Sequence, residues 1–144
     1  MQKYETDVIA WANEQAAFIR TGRFDMLDLE HLADEIEDVG KSEQRELESR
    51  MAVLLAHLVK WRYQPDRRGN SWQHTITEQR KRVVQRIQKT PSLKADLNNL
   101  EWWSGVWADT LDIVTRETGF LYERFPQECP WEYSQITNTD FWPE

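Results

Sequence analysis

Five polar side chains stand inside otherwise apolar helical stripes: Gln15, Glu43, Gln44, Gln79 and Arg80. Placed at about 100° per residue, Glu43 and Gln44 fall on the arc that gathers Leu29, Leu32, Ala33, Ile36, Gly40, Leu47, Met51, Leu54 and Leu58. Gln79 lies in the middle of the face formed by Trp72, Ile76, Val83 and Ile87, with Arg80 at its edge. A carboxylate, a guanidinium and several amides meeting at one level, joined by Ser104, would make a polar waist with a Glu43–Arg80 ion pair at its centre. Open to water, such a level is a ligand pocket or an acid–base site. Sealed, it is a hydrogen-bonded layer that fixes helix register. The sealed layer is the expected form, because nothing else in the sequence points to catalysis.

Other chemistries find less support. Helical bundles hold di-iron sites with paired Glu-x-x-His motifs on facing helices, whereas Asp28-x-x-His31 occurs once, with His31 roughly 160° from the centre of the buried arc. No metal and no cofactor is expected. His57, at the edge of the stripe, reads as a packed histidine. Cys129 is the single cysteine, so it has no disulfide partner and no zinc-ligand spacing. Its neighbour Glu128 raises rather than lowers its pKa, which argues against a nucleophilic role. The five glycines are scattered singly, and no glycine-rich phosphate loop is present. Enzymatic activity is therefore not expected.

The net charge of −7 disfavours generic nucleic-acid binding. The charge is unevenly divided: −7 over residues 1–59, +8 over 60–94 and −8 over 95–144. Arg82, Arg86 and Lys89, with Trp72 or Tyr63 as stacking groups, are the candidates for a phosphate-binding surface. The favoured alternative is internal, with a basic segment neutralising two acidic neighbours. No stretch approaches the ~18 apolar residues of a membrane span, and MQKYETDVIAWANEQ lacks the basic start and apolar run of a signal peptide. A soluble, cytoplasmic protein is expected, and a lone cysteine suits that compartment.

The elements that must position these residues are helices. Thr6 reads as the cap of a first helix running to about Thr21, with Val8, Trp11, Ala12, Gln15 and Ile19 on one face and Gly22 as its stop. A long helix extends from about Asp28 to Tyr63, continuous but open to a kink at Gly40, where the missing side chain would let another helix approach closely. Gln64-Pro65 ends it. A third helix starts at Asn70 or Ser71, and Thr90-Pro91 opens a fourth that runs to Thr118 before Gly119. The main stripe of the fourth helix is Leu93, Leu97, Leu100, Ser104, Trp107, Leu111 and Val114. A second strip, Trp102, Val106 and Ile113, lies nearly opposite and reads as an interface toward a second copy or a protein partner. Pro126, Pro130 and Pro143 break the remainder into an extended, aromatic-rich wrap with a short helix near Glu132 to Thr137. The whole predicts one all-α domain over residues 1–144, a four-helix bundle with a long central helix and a proline-rich tail.

In YETDVIAW, FIRTGRF, LDLEHLADEIEDVGKSE, LLAHLVKWRYQP, SWQHTITEQR, TPSL, FPQECPW and DFWP the chain resembles the bacterial family called domain of unknown function 29, prominent in cyanobacteria. The resemblance covers nearly the whole chain. It makes Trp11, Gln15, Glu35, Gly40, His57, Trp61, Trp72, Gln79, Arg80 and Pro126 landmarks, and it implies no catalytic residue. The expected role is a binding or regulatory module acting through protein contacts. Nucleic-acid binding through 60–94 and a small-ligand pocket at the polar level are the alternatives.

Overall fold

The computed structural model describes residues 3–144. Five α-helices succeed one another among these residues: α1 Val8–Arg20, α2 Leu29–Tyr63, α3 Asn70–Lys89, α4 Leu100–Thr118 and the single turn α5 Tyr133–Ile136. Short 3-10 stretches join them at Phe24–Met26, Pro65–Arg67, Pro91–Asn98 and Tyr122–Arg124. No strand occurs among the described residues, so the fold is all-α as expected. Its contacts gather into two compact units divided between Glu43 and Gln44.

The first unit is a helical hairpin. Asp7, one residue after the expected cap, starts α1 by accepting from the Ala10 amide through Oδ1 at 3.0 Å. Gly22 takes φ +76° where the chain leaves the helix, a conformation that costs glycine nothing. Tyr4 reaches Glu35, while Trp11 and Gln15 reach Asp28. Earlier positions on the first arm of the hairpin thus meet later positions on α2, so the two run antiparallel. On α1 only Trp11 and Gln15 are buried; Val8 and Ile19 are exposed, although the periodicity puts them on the same face.

The second unit holds the core. Leu47, Met51, Leu54, Leu55 and Leu58 of α2 pack with Ile76, Val83 and Ile87 of α3 and with Trp102, Val106, Trp107 and Val114 of α4. Phe125 and Ile136 from the C-terminal segment close it. The aromatic wrap is anchored as the prolines suggest, with Trp142 tilted against Trp61 at 4.7 Å between ring centroids.

Two expectations about the helices need correction. Gly40 lies within the continuous α2, but a Cβ there would meet nothing within 4 Å, so it marks no close helix approach. The expected fourth helix is in fact a 3-10 stretch, Pro91–Asn98, succeeded by a new start at Asn99, whose Oδ1 accepts from the Glu101 and Trp102 amides. A 3-10 helix turns about 120° per residue and an α-helix about 100°. The register of Leu93 and Leu97 therefore does not carry through unchanged into α4. The expected outward strip is covered as well as the main one: Trp102 is 9% and Val106 1% exposed and Ile113 is half-buried against the core, while Trp107, Leu111 and Val114 are also buried, so α4 buries a broad arc around Thr110. Leu100, counted in the main stripe, is 83% exposed instead.

Candidate functional site

Two residues of the expected waist, Gln15 and Arg80, have hydrogen-bond partners within their own units. In the first unit, buried Gln15 turns its Oε1 to the Asp28 amide at 2.8 Å and so satisfies the entry to α2. Asp28 is the hub of this node. Its Oδ2 accepts from the Trp11 indole at 2.9 Å and pairs with His31 Nδ1 at 2.7 Å, while His31 Nε2 sits 3.2 Å from Glu5. The Tyr4 ring stacks on His31 at 4.2 Å, and its hydroxyl donates a short hydrogen bond to Glu35.

That geometry sets the charges. The hydrogen bond from His31 holds the Asp28 carboxyl below its usual range, and the same contact, reinforced by Glu5, raises the His31 imidazole. The Tyr4 phenol is pushed up to about 12 by its hydrogen bond to Glu35. The linkage has two signs. A raised histidine stabilises the fold below its ordinary value of 6.5 and loses that contribution as pH climbs through the raised pKa. A depressed aspartate stabilises above its ordinary value of 3.8 and loses it as pH falls through the lowered one. Amide hydrogen exchange in residues 3–43 is therefore expected to be slowest, after correction for intrinsic rates, in the mildly acidic range and faster at alkaline pH. His31→Gln should flatten the alkaline limb. A corrected protection that stays level from about pH 5 to about pH 9 would refute the node's electrostatic role.

In the second unit Arg80 is only 2% exposed yet forms no ion pair among the described residues. Its Nε donates to the Ile136 carbonyl at 2.7 Å, its Nη2 donates to the Phe141 carbonyl, and its guanidinium lies 5.2 Å from the centre of the Trp142 ring. Arg80 thus acts as a clamp on the C-terminal segment. Peptide dipoles and an aromatic face solvate the cation in place of a carboxylate. Neighbouring Gln79 is half-buried with its Oε1 lacking a partner among the described residues, Gln44 is exposed, and Glu43 is half-buried.

The basic segment is largely engaged at home. Arg86 lies 3.8 Å from Glu46, which also holds Arg50 at 2.9 Å, and Glu78 sits 3.9 Å from Lys81 and 4.0 Å from Arg82. Buried Lys60 meets Glu117 at 2.5 Å. Lys89 is exposed at the end of α3. His57 places Nδ1 2.9 Å from the Val53 carbonyl, and burial lowers its pKa, which suits a neutral packed ring. No group of three or more metal-ligating side chains stands together among the described residues.

Two features escape the sequence reading. On the hairpin, Ile9 is 73%, Leu29 and Ile36 70% and Val39 67% exposed. In the second unit a cleft of about 860 Å³ opens between α4 and the C-terminal segment, lined by Trp103, Trp107, Leu111, Trp131 and Tyr133 and by three glutamates. The aromatic crowding from Trp102 to Trp131 was the available signal for the cleft, but helical periodicity gives no account of a wall made from an irregular segment.

The family described as Domain of unknown function DUF29 matches residues 3–142. The chain belongs to this family. No curated protein and no solved structure matches the chain. Within this DUF29 chain, the landmark positions Trp11 and Gln15 are the two buried residues of α1, and Arg80 is the tail clamp. No helix among the described residues is long and apolar enough to cross a membrane.

Proposed function

We propose that this protein is a helix-pairing module that acts through protein contacts, and that the hairpin of its first unit docks against the same hairpin of a second copy. The observation that supports the reading is one apolar face. On α1, Ile9, Ala12, Ala16 and Ile19 recur at spacings of three and four residues, a quarter turn from buried Trp11 and Gln15. On α2, Leu29, Leu32, Ile36 and Val39 recur in the same way, about a quarter turn from Asp28, His31 and Glu35. Both rotations are clockwise when each helix is viewed from its own N-terminus. Because the helices are antiparallel, the two stripes emerge on the same side of the hairpin.

Such a surface is half of a four-helix bundle. Six exposed side chains, Val8, Ile9, Ile19, Leu29, Ile36 and Val39, present on the order of 600 Å². Doubled across a two-fold axis, that reaches about 1,200 Å², the lower end of a stable specific interface. The interface expected from the sequence at Trp102, Val106 and Ile113 gives way to this one. Nucleic-acid binding by Arg82, Arg86 and Lys89 is less favoured, because glutamates of the same unit stand beside the first two.

Light scattering coupled to size exclusion tests the reading. The expected mass is twice the 17.3 kDa of the chain. The double variant Ile36→Glu, Val39→Glu should weaken association by at least about 100-fold with unchanged helical circular dichroism. Residues 3–43 carry 4 basic and 11 acidic side chains, so added salt should strengthen the dimer by screening repulsion. A wild-type monomer at high concentration, or a dimer indifferent to the double variant, would sink the proposal.

A further inference from the structure

The cleft of the second unit is built from side chains that offer π-surface and negative charge and nothing cationic. Trp103 spends its indole N–H on the Leu97 carbonyl at 2.7 Å, and Trp107 spends its own on the Pro126 carbonyl at 2.9 Å. Their rings therefore face the cleft as hydrocarbon and π-surface with no donor left to offer. Leu111, Phe125, Trp131 and Tyr133 extend the apolar wall. The Cys129 thiol at its edge donates to the Trp131 carbonyl at 3.4 Å, and burial pushes both that thiol and the Tyr133 phenol upward, so neither adds charge near neutrality.

The charged groups of the lining are Glu123, Glu128 and Glu132, and no lysine, arginine or histidine stands among them. Glu132 is partly occupied, because its carboxylate accepts a backbone amide as the cap of α5. Glu123 and Glu128 are exposed and have no cationic partner among the described residues. Elsewhere in this unit, cations stack on aromatic faces: Arg80 on Trp142, Arg68 on Trp61, Arg124 on Phe120. Here the faces and the carboxylates are present without the cation. The volume falls within the range of about 300–1,000 Å³ typical of small-molecule sites.

We infer that the cleft between α4 and the C-terminal segment binds a small organic cation, an ammonium group attached to an aromatic or branched apolar body. The apolar body displaces water from the tryptophan wall, and the ammonium lies over a ring face within reach of Glu123 and Glu128. An anion of the same shape meets three carboxylates and is rejected. A neutral analogue keeps the apolar contact and loses the cation–π and coulombic attraction.

The experiment uses the full chain and three probes of similar size: 2-phenylethyltrimethylammonium, 2-phenylethanol and 3-phenylpropionate. Calorimetry and the indole N–H resonances report binding. The ammonium should bind with a dissociation constant below about 1 mM and shift the Trp103 and Trp107 signals. The alcohol should bind about tenfold more weakly and the carboxylate more weakly still. Glu123→Gln with Glu128→Gln, both exposed, should lower ammonium affinity about fivefold and leave the alcohol unchanged. Ala108→Trp, which fills the cleft from an exposed position of α4, should abolish all three. Equal binding of ammonium and alcohol, an unchanged double glutamine variant, or no indole shift with the ammonium at about 10 mM would overturn the inference. Oligomeric mass is a separate readout, so this outcome and that of the hairpin proposal are independent.

Discussion

Replacing Arg80 with methionine is expected to lower the unfolding free energy by about 3 kcal/mol. Two charge-assisted hydrogen bonds, to the carbonyls of Ile136 and Phe141, disappear together with the stacking on Trp142. Each such bond to a charged group contributes about 1.5–3 kcal/mol, and the Ile136 carbonyl is left inside the core without a donor. Methionine restores much of the lost apolar packing, which keeps the loss below the sum of the two bonds. Burial already pushes the Arg80 pKa down from its ordinary value, which marks the guanidinium as desolvated and dependent on those carbonyls. Lysine at this position places one ammonium where a fork served two acceptors, so Arg80→Lys should fall between the wild type and methionine. Urea titration monitored by tryptophan fluorescence measures both. A loss under about 0.5 kcal/mol for Arg80→Met would show that the tail is held by its apolar residues alone.

The second large effect separates two aliphatic positions that share one helical stripe. Leu54→Ala should cost about 3 kcal/mol, within the range of about 2–5 kcal/mol for emptying a packed leucine site. Leu54 is fully buried among α2, α3 and α4 side chains. Ile36→Ala, eighteen residues earlier on the same arc, should change the unfolding of the dilute monomer by less than about 0.5 kcal/mol, because Ile36 is already 70% exposed. Its effect should appear in association instead. Thermal unfolding at low concentration and sedimentation at high concentration distinguish the two positions. If both substitutions destabilise the monomer alike, the hairpin face is covered within one chain and the docking proposal loses its basis.

This contrast marks the boundary of what the chain states by itself. Local chemistry was legible. Gly22 and Gly119 end α1 and α4 at φ +76°, Gln64-Pro65 ends α2, and the prolines of the last stretch leave one short capped turn, because these are effects of nearest neighbours along the chain. The family blocks and the all-α class rest on the same local signals.

Which side of a stripe is covered was not legible. The arc from Leu29 to Leu58 is one pattern in the sequence, yet its second half is buried and Leu29 and Ile36 are not. Periodicity gives the phase of a side chain around its own axis and says nothing about whether another element stands at that height. In α4 both strips are covered, Trp102 and Val106 as well as Trp107, Leu111 and Val114, which the reading of one inward and one outward strip does not foresee. The partners of buried polar groups were not legible for a related reason: Gln15 and Arg80 were read as polar groups inside apolar stripes, and their acceptors and donors are backbone atoms at Asp28, Ile136 and Phe141. Backbone partners carry no residue-type signature in a sequence. The sequence alone determined the all-α class and the helix ends that glycine and proline set. Only the tertiary structure decided what the partners of Gln15 and Arg80 are, which apolar face stays open and where the aromatic cleft lies, because each depends on contacts between segments far apart in the chain.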